Sequence, residues 1–223
     1  MFNFRNIDTV LLDMDGTLLD LHFDNQFWLH LVPQKYAEKH QISLADAKAK
    51  MLTKYDKVKG TLDWYCLDYW KKELDLPIVE LKYELSHLIQ MRADVPPFLK
   101  ALKQANKHIV LLTNAHPDSL AVKLEQVPLA DYLDLTISTH QFGYAKEAPQ
   151  LWQAVKEHLN YDPSRCLFVD DNEPLLDVAR ACGIGFQLGV ANPDSKQADK
   201  TFTEFDSITD FTTLIPAIEQ SIS

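Results

Sequence analysis

The chain has 223 residues, 46% hydrophobic and 24% charged, with 32 acidic against 22 basic side chains and a formal net charge of −10. That is the make-up of an ordinary globular protein, long enough for one domain with a sizeable insertion or for two modest ones. The acidic balance excludes a binder of nucleic-acid polymers, which needs a basic face, but leaves room for a small anionic substrate in a locally cationic cleft.

Met1 to Asn6 is polar and aromatic and leads directly into the first apolar run. No leader pattern precedes that run and no stretch approaches membrane-spanning length, so a cytoplasmic protein without membrane contact is expected. The run Thr9-Val10-Leu11-Leu12 then ends in Asp13-Met14-Asp15-Gly16-Thr17. An apolar run closed by a turn signal reads as a buried strand of a parallel sheet. Ligands of such sheets sit beyond the carboxyl ends of the strands, where both carboxylates would emerge. Crowded carboxylates repel unless a cation or proton intervenes, which points to a Mg²⁺ site with one carboxylate free to attack phosphorus. A calcium loop is excluded, because its sixth position requires glycine and the sixth residue from Asp13 is Leu18.

Residues 20–93 read as a helical insertion. Ser43 and Asp46 resemble a capping pair ahead of Leu44, Ala47, Met51 and Tyr55 at helical steps. Leu62, Tyr65, Cys66, Tyr69 and Trp70 continue the stripe, as do Ile78, Leu81, Leu85 and Leu88, with breaks at Lys59-Gly60 and Leu76-Pro77. Strands and helices then alternate. A helix from Pro97 to Ala105 precedes a strand, His108 to Thr113, and a helix opening near Pro117. A strand from Leu133 to Ser138, a helix from Pro149 to Leu159 and a strand from Cys166 to Val169 follow. A helix stopped by Gly183, a strand from Ile184 to Leu188 and a helix around Asp210 to Glu219 close the series. This alternation predicts an α/β fold, a doubly wound parallel sheet built from residues 1–19 and 94–223 with the helical cap inserted after its first strand. Cys66, Cys166 and Cys182 show no Cys-x-x-Cys spacing, which argues against a zinc or redox site; Cys166 and Cys182 read as buried free thiols.

The reactive side chains fall in register with the strands. Asp13 and Asp15 follow the first, Thr113 and Asn114 the second, Lys146 the third, and Asp170 and Asp171 the fourth. On Asp13-Met14-Asp15-Gly16-Thr17, Leu111-Leu112-Thr113-Asn114, Tyr144-Ala145-Lys146-Glu147 and Val169-Asp170-Asp171-Asn172, the chain resembles the haloacid dehalogenase-like hydrolase superfamily. The resemblance implies a Rossmann-like core with a mobile helical cap, hinged near Asp20 and near Ala93 to Pro97. It also implies Asp13 as nucleophile, Asp15 as general acid and base, and Lys146 as a fixed cation. Mg²⁺ would be held by Asp13, the Asp15 carbonyl and Asp171, with Asp170 in support. Gly16, Thr113 and Asn114 would meet the phosphoryl oxygens. Dehalogenases of the superfamily lack an acid two residues after the nucleophile, so Asp15 favours phosphoryl transfer. Many members carry an aspartate or glycine where this chain has Leu175, and Asp177 nearby reads as a solvated helix residue.

The core motifs are silent on the leaving group. Tyr65 and Tyr69 read either as core or as cleft aromatics, Trp64 could offer its face to a purine, and His116 follows Thr113-Asn114 either incidentally or to meet substrate. Across Val10–Leu21, Trp64–Trp70, Leu111–His116, Ala121–Glu125, Ser138–Lys146 and Leu188–Ser195 the chain is similar to bacterial purine 5′-nucleotidases that hydrolyse GMP and IMP. That similarity implies a small phosphomonoester substrate. A sugar-phosphate phosphatase, a phosphomutase or a non-catalytic nucleotide binder stay open, as does the oligomeric state.

Overall fold

In the computed structural model, which describes residues 2–222, a six-stranded parallel sheet carries the fold. Met1, the first residue of the expected lead-in, lies outside the described residues. Strand β1 (Thr9–Leu12) enters the insertion, which consists of α1 (His22–Gln26), α2 (Val32–His40), α3 (Leu44–Val58), α4 (Leu62–Tyr65), α5 (Leu67–Leu74) and α6 (Ile78–Glu84). The chain returns through α7 (Val95–Gln104), β2 (His108–Thr113), α8 (Pro117–Gln126), β3 (Leu135–Ser138) and α9 (Pro149–Leu159). It finishes with β4 (Cys166–Asp170), α10 (Glu173–Ala181), β5 (Phe186–Val190), β6 (Ser207–Ile208) and α11 (Ile215–Glu219).

Strand order is β3-β2-β1-β4-β5-β6, a doubly wound sheet with β1 at its centre. Side chains alternate between its faces, as strand geometry requires. Val10, Leu12, Ile109, Leu111 and Val169 pack into one hydrophobic core, whereas Leu11, Val110, Leu112 and Phe168 pack into another against α9 and α10. A third cluster, built from Phe27, Tyr55, Trp70, Leu81 and neighbours, lies wholly within the insertion. The two crossings between insertion and sheet are tied to each other, Asp20 N–H donating to the Gln90 carbonyl (2.9 Å) and Arg92 N–H to that of Leu18 (3.1 Å).

Several elements differ from the sequence-based expectation. Ser43 caps α3, its Oγ accepting from the Asp46 amide at 3.1 Å, yet Leu44 is exposed while Ala47, Met51 and Tyr55 are buried. Pro33 lacks an N–H and crowds the preceding turn; just ahead of it the helix widens into a π turn over Phe27–Leu31. The stripe from Leu62 to Trp70 is not one helix, because Cys66 adopts an extended backbone (φ −82°, ψ 113°) that separates α4 from α5. Helix α7 begins at Val95 rather than Pro97, and β6 is an added two-residue edge strand. Cys166 is fully buried, whereas Cys182 is only partly so. No helix among the described residues is long and apolar enough to cross a membrane.

Candidate active site

Strand register brings the acids together. Leu12 lies opposite Val169 of β4 and Leu111 of β2, so one step further Asp13 stands level with Asp170. Met14 is fully buried, which leaves Asp13 and Asp15 on either side of it, both lining a cleft of about 520 Å³ beneath the insertion. Gly16 turns the chain back at φ +84°, its amide donating to the Leu19 carbonyl at 2.8 Å.

Lys146 Nζ bridges Asp13 Oδ1 (2.5 Å) and Asp170 Oδ2 (2.6 Å) with its side chain 2% exposed. Its backbone is clamped: the Lys146 amide donates to Asn114 Oδ1 at 2.9 Å, and its carbonyl accepts from Trp152 Nε1 at 2.9 Å. Asn114 also accepts from Thr139 Oγ1 (3.0 Å) and donates to Glu147 Oε2 (3.1 Å), while Tyr65 donates from the insertion to Glu147 Oε1 (2.8 Å). The Asn114 side chain is thus a joint between loops, and what it can offer a ligand is its backbone amide. Thr113 Oγ1 accepts from the Ala115 amide at 3.0 Å.

A second ion-pair chain was not foreseen. Lys123 Nζ lies 2.6 Å from Asp15 Oδ1 and 2.7 Å from Asp24 Oδ2. Lys82 reaches Asp24 Oδ1 at 3.3 Å and sits 4.4 Å from the centre of the Phe27 ring. The available signal was a lysine standing on an apolar helical stripe: Lys123 between Leu120 and Val127, and Lys82 between Ile78 and Leu85. Lys200 was likewise missed; its Nζ lies 2.5 Å from Asp171 Oδ2. Asp177 pairs with Arg180 on an exposed face of α10.

Burial dominates the acid–base properties. It pushes the Asp13 carboxyl up to about 6 against the pull of Lys146, and Asp170 likewise to about 6. Asp15 also rises to about 6 through desolvation, opposed by Lys123 and reinforced by Asp24 and Asp13; its side chain is 23% exposed, and it faces the cleft. Burial works against the charges of Lys146 and Lys123, but their carboxylate partners outweigh it and lift both above the usual lysine value. Lys82 is brought down to about 8 by desolvation.

One carboxylate oxygen from each of Asp13, Asp170 and Asp171 lies within 4.8 Å of the others. Three hard oxygen donors held costly as free anions fit Mg²⁺, which takes carboxylates plus retained water. A β-carbon added at Gly16 would stand 2.8 Å from Asp171 Cγ and 3.0 Å from Pro193 Cβ. Gly16→Ala therefore displaces Asp171 as well as straining a left-handed backbone. The expected outcome is a rise of about tenfold or more in the Mg²⁺ concentration giving half-maximal activity, read from a metal titration; an unchanged titration would show that Asp171 does not hold the ion.

The cleft roof is aromatic, with Trp28, Tyr55, Trp64, Tyr65 and Trp70 all lining it. Trp64 packs edge-on against Tyr55, ring centres 5.4 Å apart. Tyr69, expected on the face of Tyr65, instead packs on Trp70, because the break at Cys66 rotates the two tyrosines apart. His116 lines the cleft, its Nε2 3.6 Å from Asp68 Oδ2 of the insertion.

The haloacid dehalogenase-like hydrolase family matches residues 7–183. The GMP/IMP nucleotidase YrfG of Escherichia coli (strain K12) is 48% identical over 215 residues, 96% of this chain and 97% of that protein. Enolase-phosphatase E1 of Schizosaccharomyces japonicus is 28% identical, covering 91% of this chain and 98% of its own. Among solved structures, a HAD phosphatase from Thermococcus onnurineus superposes with a TM-score of 0.76 at 22% identity, covering 93% of this chain and 96% of its own.

Proposed function

The chain belongs to the haloacid dehalogenase-like hydrolase family, and from that premise we propose that it is a Mg²⁺-dependent phosphomonoesterase that hydrolyses purine nucleoside 5′-monophosphates to nucleoside and phosphate through an aspartyl-phosphate on Asp13. The observation that carries the phosphoryl chemistry is the buried Lys146 bridging Asp13 and Asp170 beside a third carboxylate, Asp171.

Lys146 occupies Asp13 Oδ1, leaving the other oxygen as the one to attack phosphorus. The bond from phosphorus to the ester oxygen breaks, and Asp15 gives its proton to that oxygen as it leaves. Asp15 then takes a proton from the water that attacks the aspartyl-phosphate, freeing orthophosphate and Asp13. A carboxyl raised to about 6 suits this alternation, since neither protonation state is out of reach near neutrality. The Thr113 hydroxyl and the Asn114 backbone amide hold the phosphoryl oxygens, Gly16 shaping the turn beside them because its own amide is taken by the Leu19 carbonyl, and Lys146 offsets their charge. Asp13, the Asp15 carbonyl and Asp171, supported by Asp170, would hold Mg²⁺, which when bound supplies further charge neutralisation at the phosphoryl group. The purine preference is supported by the nucleotidase relative and by the aromatic roof, where Trp64 offers a stacking surface.

A phosphate-release screen with Mg²⁺ tests the substrate. IMP and GMP are expected to exceed AMP and hexose phosphates in kcat/KM by tenfold or more (~1.4 kcal/mol). A flat profile removes the purine assignment and keeps the phosphatase; a hexose-phosphate preference, or isomerisation in place of release, moves the protein to the sugar-phosphate enzymes of this fold.

A further inference from the structure

The sheet-bearing body and the insertion meet at a second cluster of metal-ligating atoms. Cys66, at the break between α4 and α5, comes from the insertion; His116 and His140 come from the loops after β2 and β3. A single ligand atom from each lies within 4.8 Å of the other two. Zinc ligands at ordinary bond lengths stand roughly 3.5 Å apart in a tetrahedron, so side-chain rotations of about 1 Å close the set.

Local chemistry prepares His140. His140 hydrogen-bonds the backbone at Asn114, while its Nε2 is buried without a partner. The backbone bond therefore falls on Nδ1, fixes the tautomer and leaves the Nε2 lone pair free, the arrangement that orients metal-bound imidazoles. The ring is also kept neutral by burial, with neighbouring His116 adding to the effect. His116 packs edge-on against it, ring centres 5.0 Å apart. His116 Nδ1 now accepts from the Asp118 amide at 3.3 Å, capping α8, so coordination through Nε2 gives up that cap, moves the ring proton to Nδ1 and turns it toward Asp118 Oδ2, 3.7 Å away. One sulfur and two nitrogens suit Zn²⁺ and not the hard cation of the acidic site.

We propose that Cys66, His116 and His140 form a Zn²⁺ site, separate from the Asp13–Asp170–Asp171 cluster, that staples the insertion onto the body over the closed cleft. The fourth position is filled by water or by Asp68, whose carboxylate already stands beside His116. Sequence spacing hides the site, because its ligands come from separate segments.

The test uses the reduced full-length chain with Mg²⁺ in excess, titrated calorimetrically with Zn²⁺ alone, so that it reads binding whichever monoester the enzyme cleaves. One Zn²⁺ per chain is expected, weakened at least ~10-fold in Cys66→Ser and His140→Gln and unaltered in Cys182→Ser. Serine keeps an acceptor for the Tyr69 amide that Cys66 Sγ now caps at 3.5 Å, so α5 retains its start. Co²⁺ should show a thiolate charge-transfer band in the wild-type chain that is lost in Cys66→Ser. Turnover should slow with Zn²⁺, with Cys66→Ser less sensitive by the factor seen in binding. Equal Zn²⁺ affinity in wild type and Cys66→Ser, or a Co²⁺ spectrum without that band, overturns the site; Zn²⁺ bound only at the acidic cluster would give that result.

Discussion

Asp13→Asn yields a folded protein with turnover reduced by roughly 10⁴-fold or more, the scale on which losing a nucleophile acts. An amide nitrogen or oxygen cannot form the acyl-phosphate, and no other group at the site stands level with Asp170 on the central strand. Stability moves the other way from activity. Burial raises the Asp13 carboxyl to about 6, so near pH 7.5 its ionised form costs the fold free energy that a neutral amide does not. The Asn variant is expected to unfold at the same temperature as the parent or higher. Phosphate release under single-turnover conditions, with thermal unfolding of the same samples, checks both halves; activity near the parent value would mean another nucleophile.

Lys146→Ala is the second large effect, and it strikes activity and stability together. The side chain is 2% exposed and is the cation between Asp13 and Asp170. Removing one partner of a buried charge group leaves the rest uncompensated, at about 3–5 kcal/mol. The sign with pH follows from linkage. Both carboxyls are already at about 6 in the folded chain, above their unfolded value, and losing the lysine raises them further. The native variant then binds protons that the unfolded chain has released, so its stability falls as pH climbs past 6. Below pH 6 the acids are protonated in both proteins and the deficit closes. Urea unfolding with divalent ions chelated, at pH 8 and at pH 5, should show the large gap only at pH 8. Equal stability at pH 8 would mean that water or another cation replaces the lysine.

The ends of the strands were legible because the sheet obeys one rule: a buried parallel strand must leave its polar residues beyond its carboxyl end. Thr9-Val10-Leu11-Leu12 and Cys166-Leu167-Phe168-Val169 could be buried on both faces and nothing else, so the positions of Asp13 and Asp170 followed. What escaped depended on distant partners. Lys123 is buried because Asp24, 99 residues away, meets it, and Lys82 because the same aspartate, 58 residues away, does. Their one local mark is a place on an apolar helical stripe, and a stripe does not name the carboxylate that meets them. The break at Cys66 escaped because the stripe from Leu62 to Trp70 remains apolar across it, and β6 because a strand of two residues has no period.

Asp24 and Lys82 belong to the insertion, Lys123 and Asp15 to the body. While the halves are together, Lys123 divides its attraction between two carboxylates, and Asp24 helps keep the Asp15 proton in place. Swing the insertion away and Asp24 departs, water enters, and Lys123 is left to draw Asp15 alone into its ionised form. Were the insertion to lift, the Asp24 charge that favours the Asp15 proton would leave with it, so the salt-bridge chain ties that proton to the insertion's position.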